Sequence, residues 1–168
     1  FRGLAIDKMD YDWEPYPVLH FNFGTMDVAT VEGFEQQFVE RIERAIESGG
    51  GTYNPTVTPA TNFADAIRTL ARDSGKPVVI LIDEYDAPVG HALNDIEKAK
   101  AIRAKLSAFY GEIKNNVGDI RFMMMTGVTR FTQLSVFSAL NNLTDLTMDD
   151  RCATLLGYTD EELEANFS

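Results

Sequence analysis

The segment that determines the architecture reads Val78-Val79-Ile80-Leu81-Ile82-Asp83-Glu84, five branched apolar residues followed directly by two carboxylates. Four of the five are β-branched, and β-branched side chains favour an extended strand. An unbroken apolar run of this kind is typical of a parallel sheet, in which a central strand is covered on both faces. The sequence therefore predicts that residues 78–82 form an internal strand.

The regions on either side alternate between strand-like and helix-like patterns. Further strands are predicted at residues 18–23 and 120–125. Helices, predicted from apolar residues at helical spacing, lie at residues 30–48, 62–73, 92–115 and 133–140 and from Asp160 onward. Thr159 and Glu162 fit a capping box at the start of the last helix. Strands that alternate with helices build a mainly parallel sheet, so we expect one α/β domain over residues 1–168.

The composition limits the classes of function. The chain has 168 residues, of which 45% are hydrophobic, and its formal net charge is -11. This charge argues against direct nucleic-acid binding, because phosphate backbones are bound by clustered Lys and Arg. No apolar run approaches the roughly 18 residues of a membrane span, so no membrane contact is expected. The single cysteine, Cys152, cannot form an intrachain disulfide and suits a reducing compartment, and we expect the cytoplasm.

Three carboxylates follow the predicted internal strand. Asp83, Glu84 and Asp86 lie just beyond its carboxyl end, where open parallel sheets bind their ligands. A hydrophobic strand ending in Asp-Glu is the Walker B arrangement, in which the first carboxylate holds Mg²⁺ and the second polarises the attacking water. Asp86 is a further candidate for contact with the cofactor. The alternative is that these carboxylates only mark a strand end or cap the next helix.

A second group of polar residues follows the strand predicted at 120–125. It reads Thr126-Gly127-Val128-Thr129-Arg130 and should lie on the same sheet edge as Asp83. A hydroxyl here could sense a γ-phosphate or position a water, and Arg130 could offset phosphate charge. The alternative is a glycine turn followed by a solvated arginine.

The chain has no sequence of the form G-x-x-x-x-G-K-S/T, the Walker A loop that cradles phosphates. Gly49-Gly50-Gly51 is rich in glycine but follows a predicted helix rather than a strand, which indicates a linker. Zinc ligation and thiol chemistry are not expected either, because the two histidines, His20 and His91, are far apart and Cys152 has no evident histidine partner.

Several strings of residues, in this order along the chain, resemble the bacterial predicted AAA-ATPase-like family. Residues 83–88 resemble its D-E-Y-D-x-P signature, and residues 126–131 its strand-end T-G-V-S/T-K/R-F. Residues 135–143 resemble its S-I/V-F-S-x-L-N-N-L motif. Residues 17–21 and 157–163 also match sequence patterns that recur in the family.

The resemblance implies an ASCE-type P-loop NTPase core that uses ATP and Mg²⁺. Asp83 would be the Mg²⁺ residue, Glu84 the water-activating base, Thr126 and Thr129 sensor hydroxyls, and Arg130 a phosphate contact. Family members carry Walker A upstream of the segment that begins here at Phe1, and often a PD-(D/E)xK nuclease-like domain downstream. We therefore expect a partial domain without the Walker A strand and loop, which binds ATP and Mg²⁺ in the intact protein but poorly by itself.

Three functions are open at this point. The chain could be an ATPase module that gates an attached nuclease, a non-catalytic relic or interaction domain, or a metal-dependent phosphohydrolase that uses Asp83, Glu84 and Asp86 directly. Oligomer formation is also left open. In this fold class the Walker A strand lies beside the Walker B strand, so without it residues 78–82 could expose one unpaired flank. We expect either a gap that another chain fills or an upstream segment that is retained but disordered.

Overall fold

Three strands form one parallel sheet in the order β1-β2-β3. They are β1 (Val18–Asn22), β2 (Val78–Asp83) and β3 (Ile120–Met125). The computed structural model describes residues 2–128, 143–155 and 158–167. β2 pairs in parallel with β1 on one flank and with β3 on the other, which confirms the predicted internal strand.

The same pairing shows that the expected open flank of residues 78–82 was wrong. Every residue from Val79 to Ile82 has a register partner on both neighbouring strands. Within the described residues, the unpaired sheet edges are the outer edges of β1 and β3. The prediction failed because it assumed that the missing Walker A strand would be a neighbour of β2, whereas β1 and β3 of this chain occupy both neighbouring positions.

Five α-helices are described, and side-chain caps open four of them. They are α1 (Val31–Ser48), α2 (Pro59–Ser74), α3 (Ala87–His91), α4 (Ile96–Asn115) and α5 (Asp160–Phe167). Thr30, Thr58 and Asp95 each accept a hydrogen bond from a backbone amide in the first turn that follows. Thr159 and Glu162 make the reciprocal bonds of a capping box, as predicted. The helix predicted at 133–140 lies outside the described residues.

Two helix starts differ from the prediction. α2 begins at Pro59 rather than residue 62, because Thr58 caps it and proline fits the first turn. α4 begins at Ile96 rather than residue 92, because the Asp95 cap starts a new helix there. The residues before it form the separate short helix α3, which has a proline in its first turn.

The core lies on one face of the sheet, where α1 and α2 contact the strands and α4 packs on both helices. Phe109 of α4 is fully buried and stacks on Phe63 of α2 with a centroid separation of 4.3 Å. On the opposite face Val79 and Leu81 are half-buried, whereas Phe122 is 54% exposed. Among the described residues, the helices cover one face of β2 and the side chains on its other face are half-buried, so the expected full cover of both faces is not seen there.

Candidate functional site

The carboxyl ends of all three strands contribute polar residues to one place. Asn22 ends β1, Asp83 ends β2, and Thr126 directly follows β3. Asn22 and Asp83 are register partners, and the Thr126 amide donates to the carbonyl of Ile82 at 2.9 Å. The prediction that Asp83 and Thr126 share one sheet edge is confirmed.

The Asp83 carboxylate is held from both sides. One oxygen accepts a hydrogen bond from the Thr126 hydroxyl, and the other accepts from the Asn22 side-chain amide at 3.2 Å. The side chain is half-buried and follows the alternation of Val79 and Leu81, so it lies on the less covered face of the sheet. Two neutral donors thus fix the orientation of the carboxylate without neutralising its charge.

Glu84 has an unusual backbone. Its φ angle is 53°, in the left-handed region that residues other than glycine seldom adopt. Its amide donates to the Thr126 hydroxyl oxygen at 3.2 Å. The next amide, of Tyr85, donates to the Thr126 carbonyl at 3.0 Å. The Glu84 side chain reaches the loop after β1, where its carboxylate lies against Gly24.

The Glu84 carboxylate lies directly against Gly24. A β-carbon at position 24 would be 2.5 Å from one carboxylate oxygen and 2.6 Å from the other. Gly24 is buried, and its amide donates to the Asn22 side-chain oxygen at 3.0 Å. The loop after β1 is therefore part of the same site as the acidic pair.

An arginine from α1 secures that loop. Arg41 donates to the carbonyls of Asn22 at 2.6 Å and Thr25 at 3.1 Å, and to the Thr25 hydroxyl at 3.0 Å. Sequence reasoning missed Asn22, Gly24 and Arg41. A signal was present, because Asn22 lies near the end of the strand predicted at residues 18–23 and Gly24 directly follows it, at the carboxyl edge where Asp83 was expected.

Asp86 has a different environment from the other two acids. It is 4% exposed, and both its oxygens lie 3.2 Å from the amide of Val128, which donates to them. A β-carbon on Gly127 would overlap the Tyr85 ring and the Asp86 carboxylate. Asp86 therefore fastens the loop after β3, and its predicted contact with a cofactor stays a prediction.

Two tyrosines surround this buried acid. Burial raises the pKa of Tyr85 to about 12, and the negative charge of Asp86 adds to the shift. Burial likewise raises the pKa of Tyr110 well above its ordinary value, again with a contribution from Asp86. The Tyr110 hydroxyl donates to the Tyr85 carbonyl at 3.0 Å. Both phenols are therefore neutral at physiological pH.

The remaining predicted features fall elsewhere. Thr129 and Arg130 lie outside the described residues. Within the described part of the chain, no three His, Cys, Asp or Glu side chains converge as a set of metal ligands. A search of the same residues finds no helix that is long and apolar enough to cross a membrane. A cleft of about 690 Å³, lined by Pro17, Gly50 and Lys76 among others, lies toward the amino ends of the strands, away from the acids.

Comparison with known proteins places the chain in a family. Residues 1–137 match the family described as predicted AAA-ATPase, or AAA-ATPase-like. The chain is 34% identical over 169 residues to an "uncharacterized protein in vnfD 5′ region" of Azotobacter chroococcum mcd 1. That alignment covers 100% of this chain but 32% of the relative, so the chain spans about a third of the relative's length. No solved structure matches it. The family match includes all three strands, Asp83, Glu84 and Thr126, and the chain therefore belongs to the predicted AAA-ATPase-like family.

Proposed function

We propose that this chain supplies the Walker B and sensor part of an ASCE-type P-loop ATPase that hydrolyses ATP with Mg²⁺. The observation that carries the proposal is the bonding of Thr126 to both acidic residues. Its hydroxyl donates to the Asp83 carboxylate and accepts from the Glu84 amide, at the carboxyl ends of adjacent parallel strands. Ligands of open parallel sheets bind at this edge.

Asp83 is the residue that would hold Mg²⁺, directly or through a water. Its carboxylate offers oxygen ligands, the type that Mg²⁺ prefers. A site with one protein carboxylate fits Mg²⁺, which is usually bound by one or two carboxylates together with substrate phosphates and water. When bound, the metal would neutralise charge on the phosphate oxygens. Asn22 and Thr126 keep the carboxylate in one orientation.

Glu84 is the general base that would take a proton from the attacking water. It is half-buried beside Asp83, and its side chain leaves the strand in another direction because of its left-handed φ angle. The two carboxylates thus have separate partners, Thr126 and Asn22 for Asp83 and the surface of Gly24 for Glu84. This separation suits two different roles, a metal contact and a proton acceptor.

The geometry favours this role over a self-sufficient phosphohydrolase. A metal centre built from Asp83, Glu84 and Asp86 would need their carboxylates to converge on one ion. In the structure Asp86 is buried against the Val128 amide, whereas Glu84 lies against Gly24. In the proposed ATPase role Thr126 and Thr129 would act as sensor hydroxyls and Arg130 as a phosphate contact. Coupling to a nuclease-like domain is the further role that the family resemblance suggests.

The test separates the two acids in the full-length natural protein. Glu84→Gln should leave ATP affinity nearly intact and slow single-turnover hydrolysis by roughly 10²–10⁴-fold, the usual contribution of a general base. Asp83→Asn should instead weaken Mg²⁺-dependent ATP binding. Glu40→Gln, on an exposed position of α1, is the matched control and should change neither quantity. Parental turnover in a folded Glu84→Gln protein would refute the assignment of the base.

The 168-residue chain by itself should bind Mg-ATP poorly. Most nucleotide affinity in a P-loop site comes from the loop amides and the lysine of Walker A, and this sequence has no such motif. Calorimetry with the isolated chain checks this, and micromolar binding of ATP would contradict it.

A further inference from the structure

Gly24 is the residue that leaves room for the Glu84 carboxylate. A β-carbon built at position 24 would lie 2.5 Å from Cδ of Glu84, 2.5 Å from Oε1 and 2.6 Å from Oε2. In real structures a β-carbon essentially never comes closer than 3.0 Å to a heavy atom to which it is not covalently linked. Any residue other than glycine would therefore exclude Glu84 from its present position.

Backbone conformation does not explain a glycine here. The glycines with positive φ angles in the described chain are Gly3, Gly50 and Gly75, and Gly24 is not among them. Its φ angle is therefore not in the left-handed region that favours glycine over alanine. The structural demand at position 24 is thus for space rather than for conformational freedom.

The surrounding loop is more firmly held than the glutamate. The Gly24 amide donates to the Asn22 side chain at 3.0 Å, and the Phe23 amide donates to the Asp83 carbonyl at 2.9 Å. Arg41 binds carbonyls on both sides of Gly24. The carboxylate, by contrast, is the end of a flexible side chain. An added methyl group should therefore move the Glu84 carboxylate and leave the loop in place.

From this difference we infer that Gly24 is a positioning residue, which sets where the Glu84 carboxylate stands relative to the water that it would activate. The inference rests on the proposed role of Glu84 as the base. Gly24 follows β1, whereas Glu84 follows β2. Gly24 has no side chain that could bind a ligand, and it would act only by leaving room for the Glu84 carboxylate.

The main test is Gly24→Ala in the full-length natural protein. Steady-state hydrolysis of Mg-ATP should show kcat lowered by roughly 10- to 100-fold, because small displacements of a reacting group have effects of that size. KM for ATP and the thermal midpoint should stay close to the parental values. The control is Gly111→Ala in α4, where a β-carbon would meet nothing within 4 Å. Parental kcat in Gly24→Ala, or a loss equal to that of the control, would overturn the inference.

A double substitution shows whether the effect passes through Glu84. In a Glu84→Gln background, Gly24→Ala should slow turnover no further, since the base that it displaces is already absent. An equal slowing in both backgrounds would show that position 24 acts elsewhere. Should Gly24→Ala fail to fold, the Gly24→Ala/Glu84→Ala protein must fold if the clash is the cause, and its failure would also overturn the inference.

A crystal structure of Gly24→Ala separates this inference from the proposed function. The expected result is a displaced Glu84 carboxylate beside an unmoved loop. A displaced loop with the carboxylate in place would overturn the inference, whatever the protein's activity. If Glu84→Gln instead hydrolyses ATP at the parental rate, the assignment of Glu84 as the base fails. The positions of the Glu84 carboxylate and of the loop after β1 in the Gly24→Ala crystal still decide whether Gly24 positions Glu84.

Discussion

The Thr126 hydroxyl, just after β3, donates a hydrogen bond to the carboxylate of Asp83 at the end of the neighbouring strand β2. The same oxygen accepts from the amide of Glu84 at 3.2 Å. A single hydroxyl therefore orients the side chain of one acid and the backbone of the next. This arrangement makes Thr126 the residue on which the geometry of the acidic pair most directly depends.

Replacing that hydroxyl should weaken function more than stability. Thr126→Val keeps the shape but removes one donor and one acceptor, and should cost about 1 kcal/mol of unfolding free energy. On the proposed Mg²⁺ role of Asp83, activity in the full-length protein should fall by roughly 10- to 100-fold, the usual effect of removing an outer-shell partner of a metal ligand. Thr126→Ser retains the hydroxyl and serves as the control. Equal ATP turnover in the Val and Ser variants would show that the hydrogen bond has no functional role.

The left-handed φ angle of Glu84 predicts a substitution that stabilises the fold and removes the function. Glycine adopts φ values near 53° without the steric penalty that L-residues have there. Glu84→Gly should therefore raise the unfolding free energy by roughly 1 kcal/mol. Because it removes the proposed base, it should also slow the proposed ATP hydrolysis by roughly 10²–10⁴-fold. Glu40→Gly, in the middle of α1, should lower the unfolding free energy by about 1 kcal/mol. Denaturant titrations of both variants check the prediction, and a destabilised Glu84→Gly protein would contradict it.

Two phenylalanines on opposite faces of the sheet should respond very differently to truncation. Phe109 is fully buried in the aromatic core, and Phe109→Ala should cost about 3–5 kcal/mol, a large part of the stability of a domain. Phe122 on β3 is 54% exposed, and Phe122→Ala should cost about 1 kcal/mol or less. Chemical unfolding of the isolated chain measures both. Similar losses would show that the β3 face is covered in solution.

Alkaline conditions should destabilise the fold through Tyr85. Its pKa is raised by burial to about 12, above its value of about 10 in an unfolded chain, so the folded state retains the proton longer. This contribution is fully present below pH of about 10 and is lost as the pH rises toward about 12. When the pH is raised from about 10 to about 12, Tyr85→Phe should lose less stability than the parent. Parallel pH dependences of the two proteins would contradict this.

The sequence predicted the sheet and the meeting of Asp83 with Thr126, because parallel strands bring their carboxyl ends to one edge. It did not reveal Asn22 or Gly24, whose partners are distant in the chain and depend on strand register. The φ angle of Glu84 was equally hidden, since glutamate has no preference for the left-handed region. An apolar run such as 78–82 has no alternation, so it could not tell which sheet face the helices cover. Thr129 and Arg130 lie outside the described residues and stay predictions.

The wide spacing of the three strand ends has a consequence for folding. Asn22 and Asp83 are 61 positions apart, and Asp83 and Thr126 are 43 apart. Contacts between residues so distant in the chain form slowly, because each closes a long loop. A slip of one residue in the pairing of β2 would turn Asp83 toward the apolar helices and Ile82 toward the less covered face. The hydrogen bonds that join Asn22, Asp83 and Thr126 can therefore form only in molecules in which β1 and β3 have both paired with β2 in the correct register.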